Sequence, residues 1–128
     1  MSRQAIRTDK GPTPIGPYSQ AIVANGFVYV SGQTANDPAT GKFAGGDAAA
    51  QTARIIDNLA AILSAAGASL TDVVKTTVFL HNIADFSAMN AVYAQRFGDA
   101  PPARSTIGGL DLPGGASVEI EAVAVLPS

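Results

Sequence analysis

The sequence contains no cysteine and a single histidine, His81, among its 128 residues. The lack of cysteine excludes disulfide bonds, thiolate nucleophiles and cysteine-ligated metal ions. With one histidine, a metal site built from several histidines of one chain is excluded as well. No serine or aspartate is arranged with His81 for catalysis, so we expect this side chain to cap an element or to lie at the surface.

Charged side chains are scarce. They make up 14% of the sequence, against about 25% in a typical soluble protein. A monomer of this composition would have little charge with which to cover its surface, which indicates that some surface is buried against another copy. The net charge of −2 argues against nucleic acid or an anionic membrane as the main partner. The polar N-terminal segment and the lack of a long apolar run predict a cytoplasmic protein.

Only two glutamates occur, Glu119 and Glu121, two positions apart in an apolar segment. In a strand, residues i and i+2 share one face, so both carboxylates lie on the same side. A half-buried carboxylate must be paired with a cation or shifted in its pKa. We therefore treat this segment as a candidate site.

The pattern of apolar residues predicts one domain over residues 1–128, with the element order β-β-α-β-α-β-β. Asn25-Gly26 is a strong signal for a tight hairpin between the first two strands. Asp47 can cap the first helix and Gly67 can end it. The second helix is predicted at 85–97, and the strands at 18–24, 27–31, 73–80, 103–107 and 117–126. This order indicates an α+β fold of two layers, with two helices on one face of a mixed sheet.

The second face of this sheet needs water or another subunit. Alternation along the last strand turns four aliphatic side chains toward the helices: Val118, Ile120, Ala122 and Ala124. The opposite face carries the two glutamates with Val123 and Val125. We expect one face of the middle strand to have the same mixed character, with Val73, Lys75, Thr77 and Phe79. An exposed apolar patch of this kind predicts a homo-oligomer packed sheet to sheet, and a solvated antiparallel sheet is the alternative.

Arg104 opens a predicted strand and can offer a fork of N–H donors to a carboxylate. Glu119 follows fifteen residues later, across a predicted hairpin whose tip is near Pro113. We therefore expect the two side chains to lie close together on adjacent strands, where the carboxylate could orient or deprotonate water. The alternatives are an edge arginine without a ligand and a plain ion pair between Arg104 and Glu119.

Two further residues are candidates with structural alternatives. Tyr18 follows Ile15-Gly16-Pro17, and this rigid entry would fix its phenol near a strand start; the alternative is an aromatic side chain packed on the sheet. Asn90 is the polar exception on the apolar stripe of the second helix, and it is either a buried structural amide or a site residue.

Five motifs follow one another along the chain: Ile15-Gly16-Pro17-Tyr18-Ser19-Gln20-Ala21, Val30-Ser31-Gly32-Gln33, Val74-Lys75-Thr76-Thr77-Val78-Phe79-Leu80, Pro102-Ala103-Arg104-Ser105 and Glu119-Ile120-Glu121-Ala122. Together they resemble the RidA/YjgF family of reactive-intermediate deaminases, over nearly the whole chain. The resemblance implies a chorismate-mutase-like fold and a homotrimer in which three sheets form a central barrel. It also implies sites in the clefts between subunits.

The resemblance implies hydrolysis of 2-iminopropanoate and 2-iminobutanoate to 2-oxo acids and ammonia, with no metal or cofactor. Arg104 would hold the substrate carboxylate, and Glu119 would activate the attacking water. Tyr18 would line the pocket. The remaining substrate contacts would come from Asn90, Ser31, and the backbone of Gly32 and Thr106.

The chain departs from the family pattern in two places. Thr106 stands where many of the deaminases have cysteine, and Gly108-Gly109-Leu110-Asp111 is richer in glycine than expected. Both departures concern substrate preference rather than the chemistry. Alternative functions are a trimeric module that binds a small carboxylate without turnover and a specialised enzyme for aminoacrylate-type intermediates. A ribonuclease role has little support because the chain has no basic stripe.

Overall fold

A computed structural model describes residues 2–128 as one six-stranded sheet with two helices. The strands are β1 (Gln4–Ile6), β2 (Ala21–Ala24), β3 (Phe27–Gln33), β4 (Val73–Leu80), β5 (Ala103–Ile107) and β6 (Val118–Val125), and the helices are α1 (Ala48–Ala65) and α2 (Phe86–Phe97). The sheet order is β1-β2-β3-β6-β4-β5. Only β4 and β5 run parallel, so the mixed sheet is confirmed.

Helix α1 begins and ends as its sequence predicts. The Asp47 carboxylate accepts a hydrogen bond from the amide of Ala50 at 2.9 Å, which satisfies one of the free N–H groups of the first turn. Gly67 follows the helix with a φ of 86°, a conformation that favours glycine. The apolar stripe of the helix is fully buried and forms the centre of the core: Ile55, Ile56, Leu59, Ile62 and Leu63.

Helix α2 packs beside α1 on the same face of the sheet. Its buried residues are Met89 and Tyr93, and Gly98 ends it with a φ of 72°. The alternate residues of β6 that were predicted to face the helices are buried, with Val118, Ile120 and Ala124 at 0% exposure. The two-layer α+β architecture with both helices on one face is therefore confirmed.

The tight hairpin between β2 and β3 is confirmed. Asn25 and Gly26 both have positive φ, at 54° and 81°, as a two-residue turn of this kind requires. The strand before it begins at Ala21 rather than at Tyr18, because the chain bends at Gly16-Pro17 and Gln20 turns its side chain back toward the N-terminal segment. Strand β1, which lacks an apolar run, was not predicted.

Two bulges change which face a residue occupies. One extra residue in β4, Val74, separates the pairs Val73–Ala124 and Lys75–Val123. Val73 is therefore buried toward the helices, and its predicted place beside Lys75 is wrong. In β3 the register shifts between Val30 and Gln33, so that the segment containing Gly32 leaves the regular pairing with β6.

The predicted hairpin between the last two strands is wrong. Strand β5 pairs with β4, and β6 lies on the other side of β4, between β4 and β3. The chain after β5 therefore passes over one strand before it enters the sheet. This connection includes a short turn at Pro113–Gly115.

The face of the sheet away from the helices exposes large apolar side chains. Phe27, Tyr29, Ile107 and Val125 are each between 38% and 48% exposed. The expected apolar patch is thus present, and an oligomer that covers it stays a prediction. Among residues 2–128, neither helix is long and apolar enough to cross a membrane.

Buried Gln51 ties α1 to the start of β6. Its amide nitrogen donates to the Gly46 carbonyl at 2.7 Å, and its amide oxygen accepts from the Ser117 N–H at 2.9 Å. Gln51→Leu should lower the free energy of unfolding by about 1–3 kcal/mol, because it leaves these backbone groups unpaired. Thermal unfolding at one fixed protein concentration measures the change. Gln95→Leu, at an exposed position of α2, is the control, and an equal loss in both variants would contradict this role of Gln51.

Candidate functional site

A cavity of about 410 Å³ lies beside Glu119, where β3 ends. We call it the acidic cavity, because Glu119 and Glu121 both line it. Its other walls come from the N-terminal segment, from the β3 bulge and its continuation, and from the turn before β6: Pro12, Thr13, Ile15, Tyr18, Gln20, Ser31, Gly32, Gln33, Thr34, Asn36 and Pro113. The predicted site residues Tyr18, Ser31, Gly32 and Glu119 therefore come together.

Gly32 leaves the space that the Glu119 carboxylate occupies. A Cβ atom at position 32 would overlap Oε2 of Glu119 and would lie 3.0 Å from its Cδ atom. The β3 bulge thus brings backbone, rather than a side chain, against the carboxylate. Glycine permits this close approach without displacing the carboxylate, and its φ is not positive.

Burial raises the pKa of Glu119 above that of an ordinary glutamate, and the nearby negative charge of Glu121 raises it further. Within residues 2–128 no arginine or lysine forms an ion pair with Glu119. The carboxyl group is therefore a stronger base than an exposed glutamate once it is ionised, and it borders a cavity that can hold a ligand.

The segment that carries Tyr18 is held in place by side-chain hydrogen bonds. Buried Gln20 donates to the carbonyls of Thr8 and Pro12 at 3.0 and 2.9 Å and accepts from the Thr8 amide at 2.8 Å. The Ser31 hydroxyl donates to the Ser19 carbonyl at 2.6 Å. Tyr18 lies between these anchors, and its phenol is 46% exposed at the cavity wall.

Arg104 lies elsewhere, on the helix side of the sheet edge. Its guanidinium carbon lies 4.8 Å from the ring centroid of Tyr93 and 5.5 Å from that of Phe86. Its Nη1 atom is 3.9 Å from Sδ of Met89. We call these three α2 residues the arginine cradle. They supply no carboxylate, and within residues 2–128 Arg104 makes no ion pair.

Asn90 belongs to the same side of the molecule as the arginine cradle. Its position on α2 falls between Phe86 and Tyr93 on one helical stripe. Its Oδ1 atom is buried and accepts no hydrogen bond from the part of the chain that the structure describes. Thr106 follows Arg104 by two positions in β5 and shares its face. The Arg104 guanidinium has no carboxylate partner among residues 2–128 and can therefore bind an anion, whereas the buried Asn90 oxygen is closed to solvent in one protomer.

The prediction that Arg104 and Glu119 lie close together is wrong within a single protomer. Arg104 pairs in register with buried Thr76, whereas Glu119 pairs with Phe79 on the opposite face. Strand β4 also separates β5 from β6. The alternative of an ion pair between the two within the chain is excluded by the same geometry. The described ion pair joins Arg96 to Asp57 at 2.8 Å, between the two helices.

Sequence reasoning missed several buried polar residues around the site. Gln20, Gln51 and Thr76 are each at most 3% exposed, and each makes the hydrogen bonds that hold a nearby element. The signal was available, because a polar residue within an apolar pattern must find a partner. His81 is exposed, and its Nδ1 atom lies 2.8 Å from the Leu110 carbonyl, as expected for a surface role.

Comparison with known proteins gives a family. A family model described as Endoribonuclease L-PSP matches residues 8–126. A RutC family protein of Pyrococcus abyssi is 49% identical over 124 residues, which cover 97% of this chain and 98% of that protein. The crystal structure of RidA from an Antarctic Psychrobacter has a TM-score of 0.92 at 41% identity, and the match covers 96% of this chain and 99% of that one. The chain belongs to the RidA/YjgF family.

One RidA/YjgF relative has a name that states a reaction. The protein of the goat, Capra hircus, named 2-iminobutanoate/2-iminopropanoate deaminase, is 46% identical over 125 residues, which cover 98% of this chain and 91% of that protein. The family and the fold that the sequence motifs predicted are therefore confirmed. The names within the family differ, so the reaction of this chain is a separate question.

Gly32→Ala should lower the free energy of unfolding by about 0.5–1.5 kcal/mol, because the added methyl group forces the Glu119 carboxylate, the end of a flexible side chain, into another rotamer. In a Glu119→Ala background the same change should cost much less, since the overlapping atoms are gone. Thermal unfolding of the wild type, the two single variants and the double variant measures both effects. If the effects of Gly32→Ala and Glu119→Ala on the free energy of unfolding simply add, the contact with Glu119 does not restrict position 32.

Proposed function

We propose that the chain hydrolyses 2-imino acids, chiefly 2-iminopropanoate and 2-iminobutanoate, to 2-oxo acids and ammonia. The observation that carries the proposal is the half-buried Glu119 carboxylate, which borders the acidic cavity and has no ion pair with any arginine or lysine of residues 2–128. The Arg104 guanidinium, with no carboxylate beside it, supplies the complementary group. The name of the relative from the goat supports the same substrate class.

The two groups act together only if they come from two copies of the chain. Arg104 and Glu119 lie on opposite faces of the sheet in one protomer. The proposed assembly is a homotrimer in which the open faces form a central barrel and cover the apolar patch. Each cleft would then combine the acidic cavity of one subunit with the arginine cradle of its neighbour. The low share of charged residues supports this assembly.

Arg104 binds the substrate carboxylate in this proposal. A guanidinium donates two parallel N–H bonds to a carboxylate, which fixes the plane of the substrate as well as its position. The cradle is apolar and partly buried, so the ion pair would form at low exposure to water. Asn90 and the backbone of Thr106 lie beside it and supply further polar contacts.

Glu119 takes a proton from the attacking water. The oxygen of that water bonds to the imine carbon, and the C=N electron pair moves to nitrogen. The protonated Glu119 then gives this proton to the nitrogen. Ammonia leaves with the C–N electron pair, and the hydroxyl passes its proton to the Glu119 carboxylate and becomes the carbonyl. Glu119 transfers that proton to the ammonia, which departs as ammonium. A protonated imine and water thus give a 2-oxo acid and ammonium. The raised pKa of Glu119 suits a group that both accepts and donates a proton.

The remaining candidates have lesser roles. Tyr18 and Ser31 line the acidic cavity, and the Gly32 backbone approaches the reacting atoms. A protonated imine is already an electrophile, so the proposed reaction uses no metal or cofactor.

A cytoplasmic location also stays a prediction. A module that binds the 2-oxo acid without turnover is the competing function.

The assay couples the chain to a threonine dehydratase and follows the formation of 2-oxobutanoate. The wild type should accelerate it. Arg104→Ala should lower kcat/KM by about tenfold or more, because a charge-assisted contact worth about 1.5–3 kcal/mol is lost. Arg54→Ala, in α1 and outside both parts of the site, is the control. A wild type that binds 2-oxobutanoate but leaves the rate unchanged would establish the binding module instead.

The pH dependence tests the role of Glu119. The carboxylate is active when ionised, so kcat/KM should fall at acid pH with an apparent pKa above the ordinary 4.5. Glu121→Gln removes the neighbouring negative charge, which lowers the pKa of Glu119 and should move the acid limb to lower pH. Asp99→Asn, at an exposed position, should leave the limb in place. A limb that moves to higher pH in Glu121→Gln would contradict the assignment.

A further inference from the structure

The guanidinium of Arg104 is held by uncharged side chains. It lies over the rings of Tyr93 and Phe86 and within 3.9 Å of the Met89 sulfur. Aromatic faces attract a cation, and a thioether is a weak hydrogen-bond acceptor. These neighbours fix the position of the group without neutralising its charge. Its strong N–H donors stay available to an anion.

Tyr93 is itself anchored to the sheet. Its hydroxyl lies 2.6 Å from the Thr76 hydroxyl, and both residues are buried. Thr76 is the residue of β4 that pairs in register with Arg104 of β5. Strand β4, which lies beside Arg104, therefore holds the Tyr93 ring through Thr76. That ring in turn packs against the Arg104 guanidinium.

We propose that Tyr93 and Thr76 are positioning residues, which hold the Arg104 guanidinium in the orientation that the substrate carboxylate requires. This inference rests on the proposed function. An arginine side chain is flexible, and ordering it on binding would oppose the association. A guanidinium already stacked on a fixed ring loses less freedom when the carboxylate binds. The pair therefore acts on substrate affinity through Arg104 and does not touch the substrate.

The ionisation state of Tyr93 agrees with this role. Burial raises the pKa of its phenol, although the hydrogen bond with Thr76 and the positive charge of Arg104 both lower it. The phenol therefore stays neutral at neutral pH. A phenolate would form an ion pair with Arg104 and compete with the substrate carboxylate for it.

The test measures KM and kcat for imine hydrolysis in four variants, in Arg104→Ala, and in Arg104→Ala combined with Tyr93→Leu. Tyr93→Leu removes the ring and should raise KM by about threefold to tenfold, with kcat within about twofold of the wild type. Tyr93→Phe keeps the ring and should recover most of the affinity. The double variant Thr76→Val/Tyr93→Phe removes both hydroxyls without leaving either unpaired, and it should raise KM by about twofold or more. Gln95→Leu, at an exposed position of the same helix, is the control.

The outcomes separate the inference from the proposed function. If Arg104→Ala leaves the rate unchanged, the proposed function itself fails. If Arg104→Ala lowers kcat/KM but Tyr93→Leu raises KM no more than Gln95→Leu does, the positioning role is overturned. The positioning role is also overturned if Tyr93→Leu raises KM as much in the Arg104→Ala background as in the wild type, because Tyr93 and Thr76 must act through Arg104. If Tyr93→Leu does not fold, the double variant decides, and an unchanged KM there rejects the inference.

Discussion

The order of strands at one edge of the sheet determines where the chemistry of this protein can occur. Strand β6 enters between β3 and β4, while β5 pairs with the far side of β4. Because side chains alternate along a strand, the register then places Arg104 with Thr76 on the helix side and Glu119 with Phe79 on the open side. If β5 and β6 were paired in a hairpin, the Arg104 guanidinium and the Glu119 carboxylate would neutralise each other. The observed strand order keeps these two groups apart, so each stays free to act on a ligand.

Buried polar side chains hold the separated groups in place. Around Glu119, Gln20 fixes the segment before Tyr18, and Gln51 of α1 fixes the start of β6 two residues before Glu119. On the helix side, Thr76 fixes the ring of Tyr93 beneath Arg104. The Gln51 and Thr76 hydrogen bonds join segments 66 and 17 residues apart, whereas the Gln20 bond to Pro12 spans only 8 residues within the N-terminal segment. The core therefore positions the start of β6 and the Tyr93 ring, and the N-terminal segment holds its own part of the site.

The sequence predicted what depends on local patterns and missed what depends on pairing between distant segments. The Asn25-Gly26 turn, the Asp47 cap and the buried face of β6 follow from local chemistry, and the structure has all three. The contact between Arg104 and Glu119 was predicted from adjacency along the chain, but parallel pairing of β5 with β4 cannot be read from either strand alone. A single bulge residue, Val74, likewise reversed the face predicted for Val73. The five motifs identified the family because they did not depend on strand order.

The most direct test of a site shared between two copies is subunit complementation. Under this proposal Arg104→Ala and Glu119→Gln each keep about a tenth of the wild-type activity or less, and each is refolded alone as a control. When the two are refolded together in equal amounts, random assembly gives intact clefts at about one quarter of the positions in a closed ring, so about one quarter of the wild-type activity should return. If the mixture stays as inactive as the separate variants, the two residues do not act across a subunit boundary, and the composite site is wrong.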